Sequence, residues 1–210
     1  MLTGRCFLAG AGDFCGCILP DAGDYVIAAD AGYDYLLSAG ITPDLVVGDF
    51  DSSGVIPNHP NIVLLSEEKD DTDMMIAAKE GLSRGLKTFI IDGGLGGRFD
   101  HTFANIQLLV FLAKNGALGY LIGRDICITA VSNGSINFPQ GLTGNISVFS
   151  VDGNATGVTI TGLKYTLKEG CLTSGEPIGI SNEFIGQSAF VTVRSGTLAV
   201  MWNDLSYFSL

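Results

Sequence analysis

Leu45-Val46-Val47-Gly48-Asp49-Phe50-Asp51-Ser52-Ser53 joins a buried strand to a pair of carboxylates. The apolar run Leu45 to Val47 reads as a strand with both faces covered, as in a parallel sheet packed between helices. It ends at once in Asp49 and Asp51, whose i, i+2 spacing puts both side chains on one side of an extended chain. About twenty residues on, Asp70, Asp71 and Asp73 stand at a predicted helix start. Crowded carboxylates repel one another and tend to take up protons. A hard divalent cation resolves that conflict, because Mg²⁺ favours oxygen ligands and keeps sites for water and substrate phosphates. The expectation is a Mg²⁺–phosphate site at the carboxyl ends of strands, with acids drawn from two loops.

Composition narrows the class. Hydrophobic residues make up 47% of the 210 and charged residues 16%, which points to a packed globular chain of one large or two small domains. No apolar run approaches the ~20 residues of a membrane span. The opening Met1 to Cys6 meets Gly10-Ala11-Gly12-Asp13 too soon for a secretory signal. Cys6, Cys15, Cys17, Cys127 and Cys171 contain no Cys-x-x-Cys; Cys15-x-Cys17, with no histidine nearby, makes a poor zinc site. Reduced thiols in a cytoplasm are the expectation. The net charge of −11 argues against a nucleic-acid partner, which needs a basic face. Residues 1–100 hold 16 acids and 6 bases, residues 101–210 hold 6 acids and 5 bases, so the excess sits with the carboxylate clusters.

In chain order, strands are predicted at Cys6 to Ala9, Tyr25 to Ala29, Leu45 to Val47, Ile62 to Leu65, Thr88 to Ile91 and Leu118 to Ile122. Gly10-Ala11-Gly12 is either a phosphate approach or a plain turn. Asp30, at a strand's carboxyl end, is either a ligand contact or the cap of a helix from Tyr33 to Ala39. Asp71 or Thr72 caps a second helix, reaching about Arg84, with Met74, Ala78 and Leu82 on its core stripe. Gly93-Gly94-Leu95-Gly96-Gly97 permits close backbone approach to a ligand, and Arg98 offers a planar fork of donors for phosphate oxygens. Asp100 is expected to cap a third helix with core face Phe103, Ile106, Val110 and Ala113; His101 is either structural or an acid–base group. Beyond residue 125 the texture turns to short β runs: Ile126–Val131, Ile146–Ser150, Val158–Thr161, Leu163–Leu167, Phe190–Val193 and Leu198–Trp202. The fold class expected is a mostly parallel, Rossmann-like α/β domain over 1–125, followed by an all-β sandwich over 126–210.

Together these segments resemble the bacterial type of thiamine pyrophosphokinase. The resemblance rests on Asp30-Ala31-Gly32, Gly48-Asp49-Phe50-Asp51-Ser52, Asp70-x-Thr72-Asp73, Gly93-Gly94-x-Gly96-Gly97-Arg98-x-Asp100-His101 with Asn105, and Ser181-Asn182-Glu183-Phe184, in that order along nearly the whole chain. It implies transfer of pyrophosphate from ATP to thiamine in a cytoplasmic homodimer with active sites at the interface. It implies that Asp49, Asp51 and Asp73 are the Mg²⁺ and catalytic carboxylates, helped by Arg98. Asp30, Asp70, Thr72, Gly94, Gly97, Arg98, Asp100 and His101 would belong to the nucleotide site. Ser181, Asn182 and Phe184 would contact thiamine, Phe184 as a cation–π face for the thiazolium or else as a core residue. Lys69 stands where some relatives carry another polar residue. Two rival readings use the same motifs: a haloacid dehalogenase-type phosphatase phosphorylated on Asp49, and a non-catalytic nucleotide- or thiamine-sensing protein.

Overall fold

The computed structural model describes residues 4–50, 56–66 and 70–208. Asp51, Ser52, Ser53 and Lys69 lie outside the described residues. The chain divides into two compact units, one of residues 1–108 and 116–123, the other of residues 109–115 and 124–210.

In the first unit the strands are β1 (Cys6–Ala9), β2 (Tyr25–Ala29), β3 (Leu45–Gly48), β4 (Ile62–Leu64), β5 (Thr88–Asp92) and β6 (Leu118–Ile122). All pair in parallel, in the order β4-β3-β2-β1-β5-β6. The helices are α1 (Gly32–Ser38), α2 (Asp73–Ser83) and α3 (Phe99–Lys114). α1 packs on β1 and β2, and α2 on β1, β2 and β3. β1 and β3 are buried at every position, as strands covered on both faces must be.

Register decides where function can sit. Ala9 lies opposite both Ala28 and Asp92, and Ala29 opposite Val47, so β1, β2, β3 and β5 end level. Whatever follows those ends shares one rim. The chain leaves β4 at one edge and returns as β5 beside β1, which opens the crevice where open α/β sheets take their ligands.

Helix details depart from the sequence reading. Thr72 caps α2, its hydroxyl accepting from the Met75 amide at 3.2 Å, and the buried stripe is Met74, Ala77, Ala78 and Gly81. Asp100 does not cap α3; it lies inside the first turn and pairs with Arg98 at 2.7 Å. The buried positions of α3 are Asn105, Leu108, Leu109 and Leu112, while Phe103 is exposed. This helix carries apolar residues on two stripes, so spacing alone could not choose between them.

The second unit is antiparallel throughout. Its strands are β7 (Cys127–Ser132), β8 (Ser135–Phe138), β9 (Asn145–Ser150), β10 (Asn154–Thr161), β11 (Leu167–Thr173), β12 (Asn182–Glu183), β13 (Ala189–Thr192) and β14 (Thr197–Trp202). One group runs β12-β9-β14-β7 and the other β11-β10-β13-β8. Phe138 of the second group meets Trp202 of the first edge-on at 5.2 Å, so side chains of both groups share a core. The strand expected at Leu163–Leu167 instead begins at Leu167; Gly162 turns the chain with φ 75°, and Leu163 makes only an isolated bridge to Phe184.

Candidate active site

A cavity of about 530 Å³ opens in the first unit, at the rim set by the strand register. After β1 it is lined by Ala11 and Gly12, after β2 by Asp30, after β3 by Asp49, and at the start of α2 by Thr72 and Asp73. Gly93, Gly94, Gly96 and Gly97 close another side, with Arg98, His101 and Asn105 of the α3 segment. Carboxylates from three loops thus face a glycine-rich wall that carries an arginine.

Each acid has its own reason to be there. Asp30 holds the left-handed conformation, φ 50°, its amide donating to the Val47 carbonyl at 2.9 Å; the cap position of α1 belongs to Ala31, without a side-chain bond. Asp49 follows β3 directly. Phe50 then turns at φ 56° and buries its ring against Gly48. The backbone thus leaves the extended conformation at Phe50; Asp51, the other half of the expected pair, lies outside the described residues. Asp73 occupies the first turn of α2, where the helix dipole favours a negative group. Asp71 instead pairs with Lys79 at 2.5 Å, and Asp70 is exposed and not part of the lining.

The glycine wall is held from behind. The Gly12 amide donates to the Gly93 carbonyl at 2.6 Å and the Gly10 amide to Asp92 at 2.8 Å, so Gly10-Ala11-Gly12 serves loop-on-loop packing. A Cβ on Gly93 would meet the Gly10 carbonyl oxygen at 2.4 Å. The Asn105 side chain, buried, donates to the Gly94 carbonyl at 2.8 Å and anchors the loop to α3. Sequence reading placed Asn105 in the motif without a task, and it missed Asp92. That carboxylate is wholly buried and accepts from the Cys15, Cys17 and Gly93 amides at 2.8, 3.0 and 2.7 Å.

The donor set is all oxygen on the acidic side, which fits a hard divalent cation such as Mg²⁺; the close-packed glycines and Arg98 fit phosphate. Arg98 is committed to Asp100 through two hydrogen bonds, at 3.2 and 2.7 Å, and this exposed pair raises the pKa of the arginine and lowers that of the aspartate.

Residues 19–118 match the family model "Thiamin pyrophosphokinase, catalytic domain", and residues 134–198 match "Thiamin pyrophosphokinase, vitamin B1 binding domain". A thiamine pyrophosphokinase of Bacillus subtilis is 30% identical over 197 residues, covering 88% of this chain and 92% of its relative. The chain belongs to the thiamin pyrophosphokinase family. A crystal structure of the Bacillus subtilis enzyme superposes with a TM-score of 0.82 at 28% identity, covering 96% of this chain and 99% of that one. A Caenorhabditis elegans thiamin pyrophosphokinase is 27% identical over 83% of this chain and 77% of its own length.

Within this thiamin pyrophosphokinase fold the three tail residues belong to the second unit. Ser181, φ 58°, is exposed and donates its amide to the Ser147 hydroxyl at 3.1 Å. Asn182 is buried and already occupied: its oxygen accepts from the Tyr165 and Glu183 amides, and its nitrogen donates to the Tyr165 carbonyl at 2.7 Å. Phe184 is buried, with its ring against Phe138 at 5.2 Å, the arrangement of a core residue. Ile180 and Ile185 beside them are exposed. Asn182→Ala should therefore destabilise the second unit by about 2 kcal/mol, because two backbone groups of Tyr165 lose their partners. Urea unfolding followed by tryptophan fluorescence at Trp202 checks this.

Proposed function

We propose that this chain transfers the pyrophosphoryl group of Mg²⁺-ATP to the hydroxyl of thiamine, giving thiamine diphosphate and AMP. Family membership carries the enzyme class; the carboxylates of Asp49 and Asp73 facing the glycine–Arg98 wall in one cavity carry the mechanism. Thiamine's hydroxyl attacks the β-phosphorus of ATP in line, and AMP leaves. Asp49 or Asp73 accepts the hydroxyl proton. Arg98 and the Gly94 to Gly97 segment hold the phosphate oxygens, with His101, Thr72 and Asp30 completing the nucleotide side. Asp49, Asp51 and Asp73 would hold Mg²⁺, which when bound neutralises charge on the phosphates.

We assign residues 1–125, read as a Rossmann-like domain, to ATP and Mg²⁺, and residues 126–210 to thiamine binding and to a cytoplasmic homodimer with active sites at its interface. The match of the vitamin B1 binding model over 134–198, which includes Ser181, supports the second assignment. Among the described residues no helix is long and apolar enough to cross a membrane. Family membership does not favour the phosphatase reading.

AMP release measured with thiamine, with thiamine monophosphate, and with neither tests the reaction. Release with free thiamine only is the expected result. Phosphate release with trapping of phosphorylated Asp49 would restore the phosphatase, and tight thiamine binding without AMP would restore the sensor. Arg98→Ala is expected to raise the KM for ATP about tenfold or more, through loss of a charge-assisted phosphate contact, while leaving Tm unchanged because its pair with Asp100 is exposed. Initial rates against ATP concentration, with a thermal scan, check both halves.

A further inference from the structure

The segment after β1 carries a second cluster that the pyrophosphoryl mechanism does not use. Cys15 and Cys17 lie with their sulfurs 3.1 Å apart, and the Cys15 sulfur is 3.2 Å from Asp92 Oδ1. One ligand atom from each of the three residues falls within a 4.8 Å span. The fold brings to the Cys-x-Cys pair a carboxylate 75 positions from Cys17, the third ligand that the local sequence lacks.

We infer that Cys15, Cys17 and Asp92 form a binding site for one thiophilic divalent cation of the zinc class, separate from the Mg²⁺ carboxylates. Three observations carry this. Asp92 is wholly buried, and among the described residues the donors on its carboxylate are the Cys15, Cys17 and Gly93 amides and the Cys15 sulfur, with no cationic side chain among them. The separations suit a metal: tetrahedral bonds of about 2.3 Å to sulfur and about 2.0 Å to oxygen put two sulfurs about 3.8 Å apart and a sulfur and an oxygen about 3.5 Å apart. The 3.1 and 3.2 Å separations open by about 0.7 and 0.3 Å to reach these, and the Cys17 sulfur lies within 4.8 Å of a carboxylate oxygen of Asp92; a disulfide would need the sulfurs to close by about 1 Å. Third, backbone amides of both cysteines are already bonded to Asp92, so the loop is preorganised, and exposed Cys17 leaves an entry path with a fourth position for water.

Burial pushes the Cys15 thiol up, and its sulfur lies 3.2 Å from Asp92 Oδ1. Both sulfurs would bind the cation as thiolates, any protons they carry leaving to solvent. The cation would fasten residues 13–17 to the end of β5, directly behind Gly12 and Gly93 of the nucleotide cavity.

Titration of the reduced, chelator-treated full chain with Cd²⁺, followed by the thiolate-to-cadmium charge-transfer absorption, tests the site. One Cd²⁺ per chain is expected, undiminished by excess Mg²⁺. Cys15→Ser and Cys17→Ser should each abolish the band, and Cys171→Ser should leave it intact. Asp92→Asn should weaken binding by about tenfold or more; if that variant does not fold, the cysteine variants still decide. No band, a band that survives in the Cys15→Ser/Cys17→Ser double variant, or one ion shared between two chains would overturn the inference.

Discussion

Asp73→Asn should lower kcat for pyrophosphoryl transfer by about a hundredfold or more at saturating Mg²⁺ and ATP, and Asp49→Asn should do the same. Both side chains line the cavity that holds the glycine loop and Arg98. A group that binds the metal or takes the proton stabilises the transition state more than the ground state, and its loss costs at least ~3 kcal/mol of barrier. Stability should stay nearly unchanged, because any relief of like-charge repulsion is set, at Asp73, against the loss of a favourable helix-dipole interaction. The pairing of a large kcat loss with a nearly unchanged Tm separates a catalytic role from a structural one. Stopped assays for AMP beside thermal scans of each variant make the measurement. Near-full turnover in either variant would remove that aspartate from the mechanism.

Gly93→Ala should be among the most destabilising single-methyl changes in the first unit. Gly93 has φ 69°, a conformation that costs an L residue about 1–2 kcal/mol. Its added Cβ would also stand 2.4 Å from the Gly10 carbonyl oxygen, in a loop pinned by the Gly10–Asp92 and Gly12–Gly93 hydrogen bonds. Backbone on both sides cannot yield as a flexible side chain would, so the sum is about 3 kcal/mol or more. For a chain of this size that lowers Tm by about 6–12 °C. Gly97→Ala is the control: φ is 59°, but the new Cβ meets nothing within 4 Å, so only the conformational part of the cost remains. Equal Tm losses in the two variants would show that the Gly10–Gly93 contact is not tight.

Local sequence made the carboxyl ends of the strands legible, because a buried apolar run ending in an acid or in glycines reads the same way at Asp30, Asp49 and Gly93. The all-β character of the second half was legible from short β-branched runs separated by glycine and asparagine turns. What escaped was set by distant partners. Asp92 meets Cys15 across 77 positions, and no spacing rule reports such a pair. Asn182 carries a family motif, yet its amide holds Tyr165, a task visible only once β12 lies beside that loop. The burial of α3 on Leu108, Leu109 and Leu112, and not on Phe103, depends on what packs against a helix apolar on more than one side. The turn at Phe50 shows the limit of period-two reasoning, which holds only while the strand continues.

A crystal structure with Mg²⁺ and a non-hydrolysable ATP analogue tests the central claim most directly. The expected result is a triphosphate along Gly94 to Arg98 with a magnesium ion coordinated by the carboxylates of Asp49 and Asp73. A nucleotide bound elsewhere on the chain, or phosphates in this cavity with no ion on either aspartate, would contradict it.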